Sequence, residues 1–121
     1  VVKSEDELYG FDATPQDLAL IDARKGVAMF AQVGVPILGL IENMSYFVCD
    51  ECGKRHEIFA HGGARREAER LDVPLLGEIA LDPMIRERSD AGLPVVIMEP
   101  DSAAARTYRD IARQVMETLG R

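Results

Sequence analysis

Two cysteines occur in this chain of 121 residues, and they stand two residues apart as Cys49-Asp50-Glu51-Cys52, followed directly by Gly53. A C-x-x-C-G turn lets two thiolates face one metal while backbone N–H groups point at the sulfurs. The polar neighbours Asp50, Glu51, Lys54 and Arg55 argue against two cysteines packed as small hydrophobes. A thioredoxin-type redox pair needs a helix N-terminus to acidify its thiol, and no helix signal follows Cys52. Two metal chemistries stay open. With His56 and His61 the run reads C-x2-C-x3-H-x4-H, which would close a zinc site within one chain. Two cysteines alone leave half of a tetrahedral or cubane site open, so a pair of chains would share one cluster across a two-fold axis.

A second constellation, Glu42-Asn43-Met44-Ser45, follows an apolar run at the position where ligands bind along the edge of an open α/β sheet. The Asn43 side chain donates and accepts at once, which suits either a purine edge or a turn that bonds its own backbone. Asp82 holds the corresponding place after the next apolar run, as a second wall of the same site or as a plain helix cap. No isolated carboxylate pair sits in an apolar setting, and there is neither a G-x-S-x-G nor a G-x-x-x-x-G-K-[ST]. No catalytic residue is nominated.

The elements that must position these groups are legible from the punctuation. Thr14-Pro15-Gln16-Asp17 predicts a helix with Thr14 as its cap, Pro15 at its first position, and an apolar face of Leu18, Ile21, Met29, Phe30 and Val33, closed by Gly34. Residues 35–41 are apolar without alternation, the mark of a central parallel strand covered on both faces. Gly62-Gly63 opens a second helix running to Leu71, and residues 73–79 read as another strand. Asp82-Pro83 starts a short helix, residues 94–98 read as a third strand, and Asp101 or Ser102 caps a last helix with Tyr108, Ile111, Ala112, Val115, Met116 and Leu119 on one face. This order predicts an α/β fold with a parallel sheet. The twenty-odd residues 42–61 break the pattern, and loops of that length are usually functional.

Composition narrows the function classes. Fourteen bases, scattered among twenty-one acids, give a formal charge of -7, which speaks against nucleic acid as a partner. The longest apolar stretch is broken by Gly34, Pro36 and Gly39 and is too short to span a bilayer, and the charged start is no signal peptide. Paired cysteines in an otherwise cysteine-free chain predict a cytoplasmic protein rather than a secreted disulfide scaffold.

Taken in order, Thr14-Pro15-Gln16-Asp17-Leu18-Ala19-Leu20, Asp22-Ala23-Arg24-Lys25-Gly26, Val35-Pro36-Ile37-Leu38-Gly39, Glu42-Asn43-Met44-Ser45-Tyr46-Phe47 and Cys49-x-x-Cys52-Gly53 closely resemble successive motifs of the Mrp/ApbC family. The resemblance continues through Ile58-Phe59, His61-Gly62-Gly63-Ala64, Leu76-Gly77-Glu78-Ile79, Leu81-Asp82-Pro83 and Asp90-Ala91-Gly92-x-Pro94-Val95-Val96, covering residues 13–121. It implies the deviant-Walker P-loop class shared with MinD and nitrogenase iron protein, and ATP-dependent loading or transfer of iron-sulfur clusters to apoprotein clients. By the same resemblance Asn43 would meet the adenine, the segment with Asp82 and Pro83 would close over the base, and Cys49 and Cys52 would bind a 4Fe-4S cluster jointly with a second copy in a homodimer. ATP and Mg would belong to the intact protein, and zinc stays the alternative metal. The family places its phosphate loop upstream of the Thr-Pro-Gln segment, and nothing comparable precedes Thr14. The expectation is therefore the C-terminal half of such an ATPase, inactive alone, with residues 1–12 an atypical segment for which disorder is one expectation. Ala80, where relatives carry proline, is a smaller departure.

Overall fold

A computed structural model describes residues 2–3, 9–59 and 62–120. Strand β3 (Ile37–Glu42) is the centre of the molecule, with every residue from Leu38 onward buried. It pairs in parallel with β2 (Tyr9–Ala13) on one side and β6 (Leu75–Glu78) on the other, and β1 (Val2–Lys3) adds antiparallel to β2. The order is β1-β2-β3-β6. A run without polar alternation from Ile37 to Ile41 is what a strand covered on both faces requires, because alternation would put polar groups into one of the two layers.

Helix α1 (Asp17–Gln32), helix α2 (Gly63–Leu71) and helix α5 (Ala103–Thr118) supply that cover. Leu40 packs with Ala68, Val27 and Phe30 from the two earlier helices, whereas its neighbour Ile41 turns to the other face with Leu76, Ile79 and Ile111. Period-2 alternation thus sends consecutive residues of one strand into two layers. Two glycines allow the approach. A Cβ on Gly39 would stand 2.6 Å from the Pro74 carbonyl oxygen, and one on Gly77 would stand 2.7 Å from Cγ1 of Ile111.

Four sequence expectations are corrected. First, residues 9–12 lie inside the fold as most of β2, since the outer edge of β3 needs partners for its backbone groups. Second, α1 begins at Asp17 with Gln16 as an extended N-cap lacking a side-chain bond, not at Thr14. Residues 15 and 16 form a bend, and Gln16 at φ -67° and ψ 140° is still outside helical geometry, so the helix opens two residues later than the Thr-Pro signal predicts. Third, the buried stripe of α1 is Leu20 and Ala23 with Val27 and Phe30 packed behind them, at i, i+3, i+7 and i+10. Leu18 and Val33 are 73% and 67% exposed. Small Ala23 sits against Ala13 and Ala64, a close approach that the bulkier stripe would block. Fourth, residues 94–98 form no strand: Val95–Met98 is the short helix α4, with Ile97 and Met98 both donating to the Pro94 carbonyl. β propensity reflects packing in a sheet, and here the segment packs against α5 and α3 (Pro83–Asp90) instead.

The C-terminal ends of the parallel strands arrive at one edge, where Glu42 pairs with Ala13 and with Glu78.

Candidate functional site

At that edge the chain leaves β3 through a tight turn built on a buried carboxylate. Glu42 is 1% exposed; its Oε2 accepts from Ser45 Oγ at 2.7 Å and its Oε1 from the Ala64 N–H at 3.1 Å. One side chain therefore ties the turn to the start of α2, where unsatisfied N–H groups favour an anion. Asn43 donates its N–H to the Ala13 carbonyl at 2.7 Å, and its Oδ1 accepts from the Met44 N–H at 2.9 Å. Met44 is left-handed at φ 52°.

Ser45 then docks on the next strand's exit, its N–H donating to the Ile79 carbonyl at 2.9 Å, and the Tyr46 carbonyl accepts from the Leu81 N–H at 2.7 Å. From this anchor rises a hairpin of β4 (Phe47–Val48) and β5 (Arg55–His56). Both cysteines sit in its loop: the Cys49 N–H donates to Lys54 O at 3.0 Å and the Gly53 N–H to Cys49 O at 2.8 Å, with Gly53 at φ +69°. The backbone N–H of Cys52, then that of Glu51, and then the Cys52 side chain hold the Cys49 thiol below its ordinary range, against slight burial and the charge of Asp50. Cys49 is half-buried, and Cys52 is exposed. Two thiols on one turn, one of them exposed and the other held toward thiolate, form a donor set that suits a thiophilic metal or cluster.

Between the hairpin and the body lies a cleft of about 380 Å³, lined by Tyr46, Val48, Cys49, Leu81, Asp82 and Pro83 among others, with Ala103, Ala104 and Thr107 of α5 as its floor. Cys49, Asp82 and Pro83 are thus brought together, and Asn43 lies off this lining, in the turn behind it. Asp82 caps α3, its Oδ1 accepting from the Met84 N–H at 2.9 Å. His56 pairs across the hairpin with Phe47, their ring centroids 6.5 Å apart. His61 lies outside the described residues, and among the described residues no three His, Cys, Asp or Glu side chains converge as a metal site.

Sequence reasoning missed Arg55 and Tyr46. The Arg55 guanidinium lies 3.8 Å from the centroid of the Tyr46 ring, and its Nη2 is 3.6 Å from Glu78 Oε2. No spacing rule announces a contact that depends on the hairpin folding back. No helix among the described residues is long and apolar enough to cross a membrane.

Residues 12–116 match the family model described as NUBPL iron-transfer P-loop NTPase. The chain is 50% identical over 107 residues to the Arabidopsis thaliana iron-sulfur protein required for NADH dehydrogenase, mitochondrial, covering 88% of this chain and 34% of that protein. It is 47% identical over 106 residues to the Escherichia coli iron-sulfur cluster carrier protein, covering 88% and 29%. The chain therefore spans about a third of the length of the curated relatives it matches. Among solved structures it resembles the cell division ATPase MinD of Pyrococcus furiosus, with a TM-score of 0.72 at 26% identity over 93% of this chain and 43% of that one. An Archaeoglobus fulgidus nucleotide-binding protein in complex with ADP matches with a TM-score of 0.58 at 34% identity, over 69% of this chain and 35% of that one.

Proposed function

The chain belongs to the NUBPL iron-transfer P-loop NTPase family, and from that premise we propose that it is the cluster-presenting part of an iron-sulfur cluster carrier. Cys49 and Cys52 hold a 4Fe-4S cluster as cargo together with the same pair of a second copy, and the cluster passes from there to apoprotein clients. The observation that carries this reading is the hairpin loop itself, closed by the Cys49 N–H on Lys54 O and the Gly53 N–H on Cys49 O, which holds both thiols on one turn with Cys52 exposed. Two ligands in one chain leave the other half of a four-iron cluster to be supplied by a symmetry mate. A cytoplasmic location belongs to the same proposal.

In the intact protein ATP and Mg accompany this activity. The cleft beside the hairpin is the place proposed for the base, with Tyr46, Asp82 and Pro83 among its lining residues. Asn43 lies in the neighbouring turn, outside the cleft lining, and in this reading its side chain would meet the adenine only from there. ATP hydrolysis requires a phosphate-binding loop and a lysine, and the 121 residues contain no G-x-x-x-x-G-K-[ST]. Turnover by the purified chain would contradict this reading.

Anaerobic reconstitution with iron and sulfide tests the proposal. The expected product is brown, absorbs broadly in the visible, and elutes as a dimer, and Cys49→Ser or Cys52→Ser abolishes both properties. Recovery of zinc instead, lost on His56→Ala or His61→Ala, would establish the single-chain zinc site and sink the cluster reading.

A further inference from the structure

A hairpin with two-residue strands is not stable by itself, so the direction in which its cysteines face must be set by what ties it to the sheet. Two backbone hydrogen bonds, from Ser45 to Ile79 and from Leu81 to Tyr46, fix only the root of its first arm. The second arm returns through Arg55, three residues after Cys52. Its guanidinium stacks 3.8 Å from the Tyr46 ring centroid, its Nε donates to Glu57 Oε1 at 2.6 Å, and its Nη2 faces Glu78 Oε2 at 3.6 Å. Glu78 terminates β6, so this contact joins the returning arm to the sheet. A planar cation suits this place because it stacks on a ring and meets carboxylates at its edge simultaneously.

We propose that Arg55 is the positioning residue of the Cys49–Cys52 pair, fixing the hairpin's angle on the sheet and thereby the rate at which a bound cluster leaves for an acceptor. This rests on the cluster reading above for its second half only. Glu78 also faces Arg65 Nη2 from α2 at 3.7 Å, and its Oε1 is buried without a hydrogen bond. The carboxylate is thus shared between a body cation and a hairpin cation, neither of which saturates it, and the hairpin is held by an adjustable contact.

The test uses the full chain with Arg55→Gln, Arg55→Lys and, as a control on the body side, Arg65→Gln. Amide hydrogen exchange is read at Cys49 and Gly53, which close the loop, and at Leu40 in the core. Arg55→Gln is expected to speed exchange at Cys49 and Gly53 about three- to tenfold, the span of one exposed ion pair plus one cation–π contact, with Leu40 unchanged. Arg55→Lys should recover part of the effect and Arg65→Gln none. On the reconstituted chain, Arg55→Gln should change the rate of cluster loss to a chelator by a similar factor without changing the amount loaded. Unaltered loop exchange in Arg55→Gln, or equal acceleration at Leu40, would overturn the proposal. If the Cys49→Ser, Cys52→Ser chain still loads a cluster, the cluster reading fails while the exchange result judges Arg55 on its own.

Discussion

The Arg24 guanidinium on α1 meets the carboxylate of Glu67 on α2 at 2.6 Å, and Glu67 is 3% exposed. Arg70 closes on the other oxygen at 2.7 Å, so the acid is clamped between two cations whose own outer faces are in water. The Arg24 hydrogen bond is the main cause that holds the Glu67 carboxyl below its ordinary value of 4.5, followed on the same side by Arg70 and opposed by burial. A depressed carboxyl stabilises the fold fully above its unfolded value and loses that contribution as the pH falls through its folded value. Urea midpoints are therefore expected to drop below pH 4.5 with a limb that Glu67→Gln removes. At pH 7 the same substitution should cost about 1 kcal/mol, less than the roughly 1.5–3 kcal/mol of a hydrogen bond to a charged group because both arginines are half in solvent. Equal acid limbs in the two proteins would refute the assignment.

Glu42 makes a different claim, since its partners are a hydroxyl and a backbone N–H. Glu42→Ala strands Ser45 Oγ and the Ala64 N–H in a buried place, each costing about 1–3 kcal/mol. Glu42→Gln keeps the shape and an acceptor for Ala64 and should lose less than half as much. Denaturant midpoints at unchanged m-value check the ratio, and near-equal losses would mean that packing rather than the two bonds sets the cost.

The parallel α/β core was legible because its signals are local. The near-continuous apolar run at residues 35–41, the Ser102 cap with its 3.1 Å bond from Ala105, and the Asp82 cap all act within a few residues. What escaped depends on distant partners. Helix α1 carries two apolar stripes, and only the small residues Ala13 and Ala64 across the layer decide that Leu20 and Ala23 face inward. Residues 94–98 have a strand's composition, yet they pack on α5 as a helix. Within the candidate site, Cys49 and Cys52 could be nominated from spacing and Asp82 from its place after a strand, whereas Pro83 is implied only by the family resemblance; Asp82 and Pro83 share the cleft with Cys49. Arg55 could not, because its partners Tyr46 and Glu78 come from either side of it in sequence and meet only in the folded hairpin.

Gly39 carries a backbone approach that no larger residue tolerates. A methyl group there would meet the Pro74 carbonyl oxygen at 2.6 Å and Leu76 Cγ at 2.7 Å, and the carbonyl accepts from Leu40 at 2.8 Å, so it is not free to move. Gly39→Ala should destabilise by about 1–3 kcal/mol, as overpacking does in a close-packed core. Gly77→Ala meets only side-chain atoms of Ile111, Cγ1 and Cδ1, which can rotate, so it should cost less. Thermal unfolding of the two variants gives the order directly, and a reversed order would show that α5 is held more rigidly than the β3–β6 pair.

The Cys49 thiol provides the last check, on the loop's electrostatics without any metal. Its value is held below the ordinary 9.0 first by the Cys52 N–H, then by the Glu51 N–H and the Cys52 side chain. Only thiolate alkylates, so a lowered value shifts the rate–pH curve to lower pH. In Cys52→Ala the two backbone N–H groups remain, and iodoacetamide should label Cys49 along a curve displaced to lower pH from that of the same chain in guanidinium. Asp50→Asn removes the charge that opposes the thiolate and should move the folded curve further in the same direction. Gly53→Ala should move it back, because a side chain at φ +69° strains the turn that aims those N–H groups at the sulfur. If the folded and unfolded chains label along the same curve, the loop does not stabilise thiolate, and Cys49 is no better prepared to hold a cluster than a cysteine in any exposed turn.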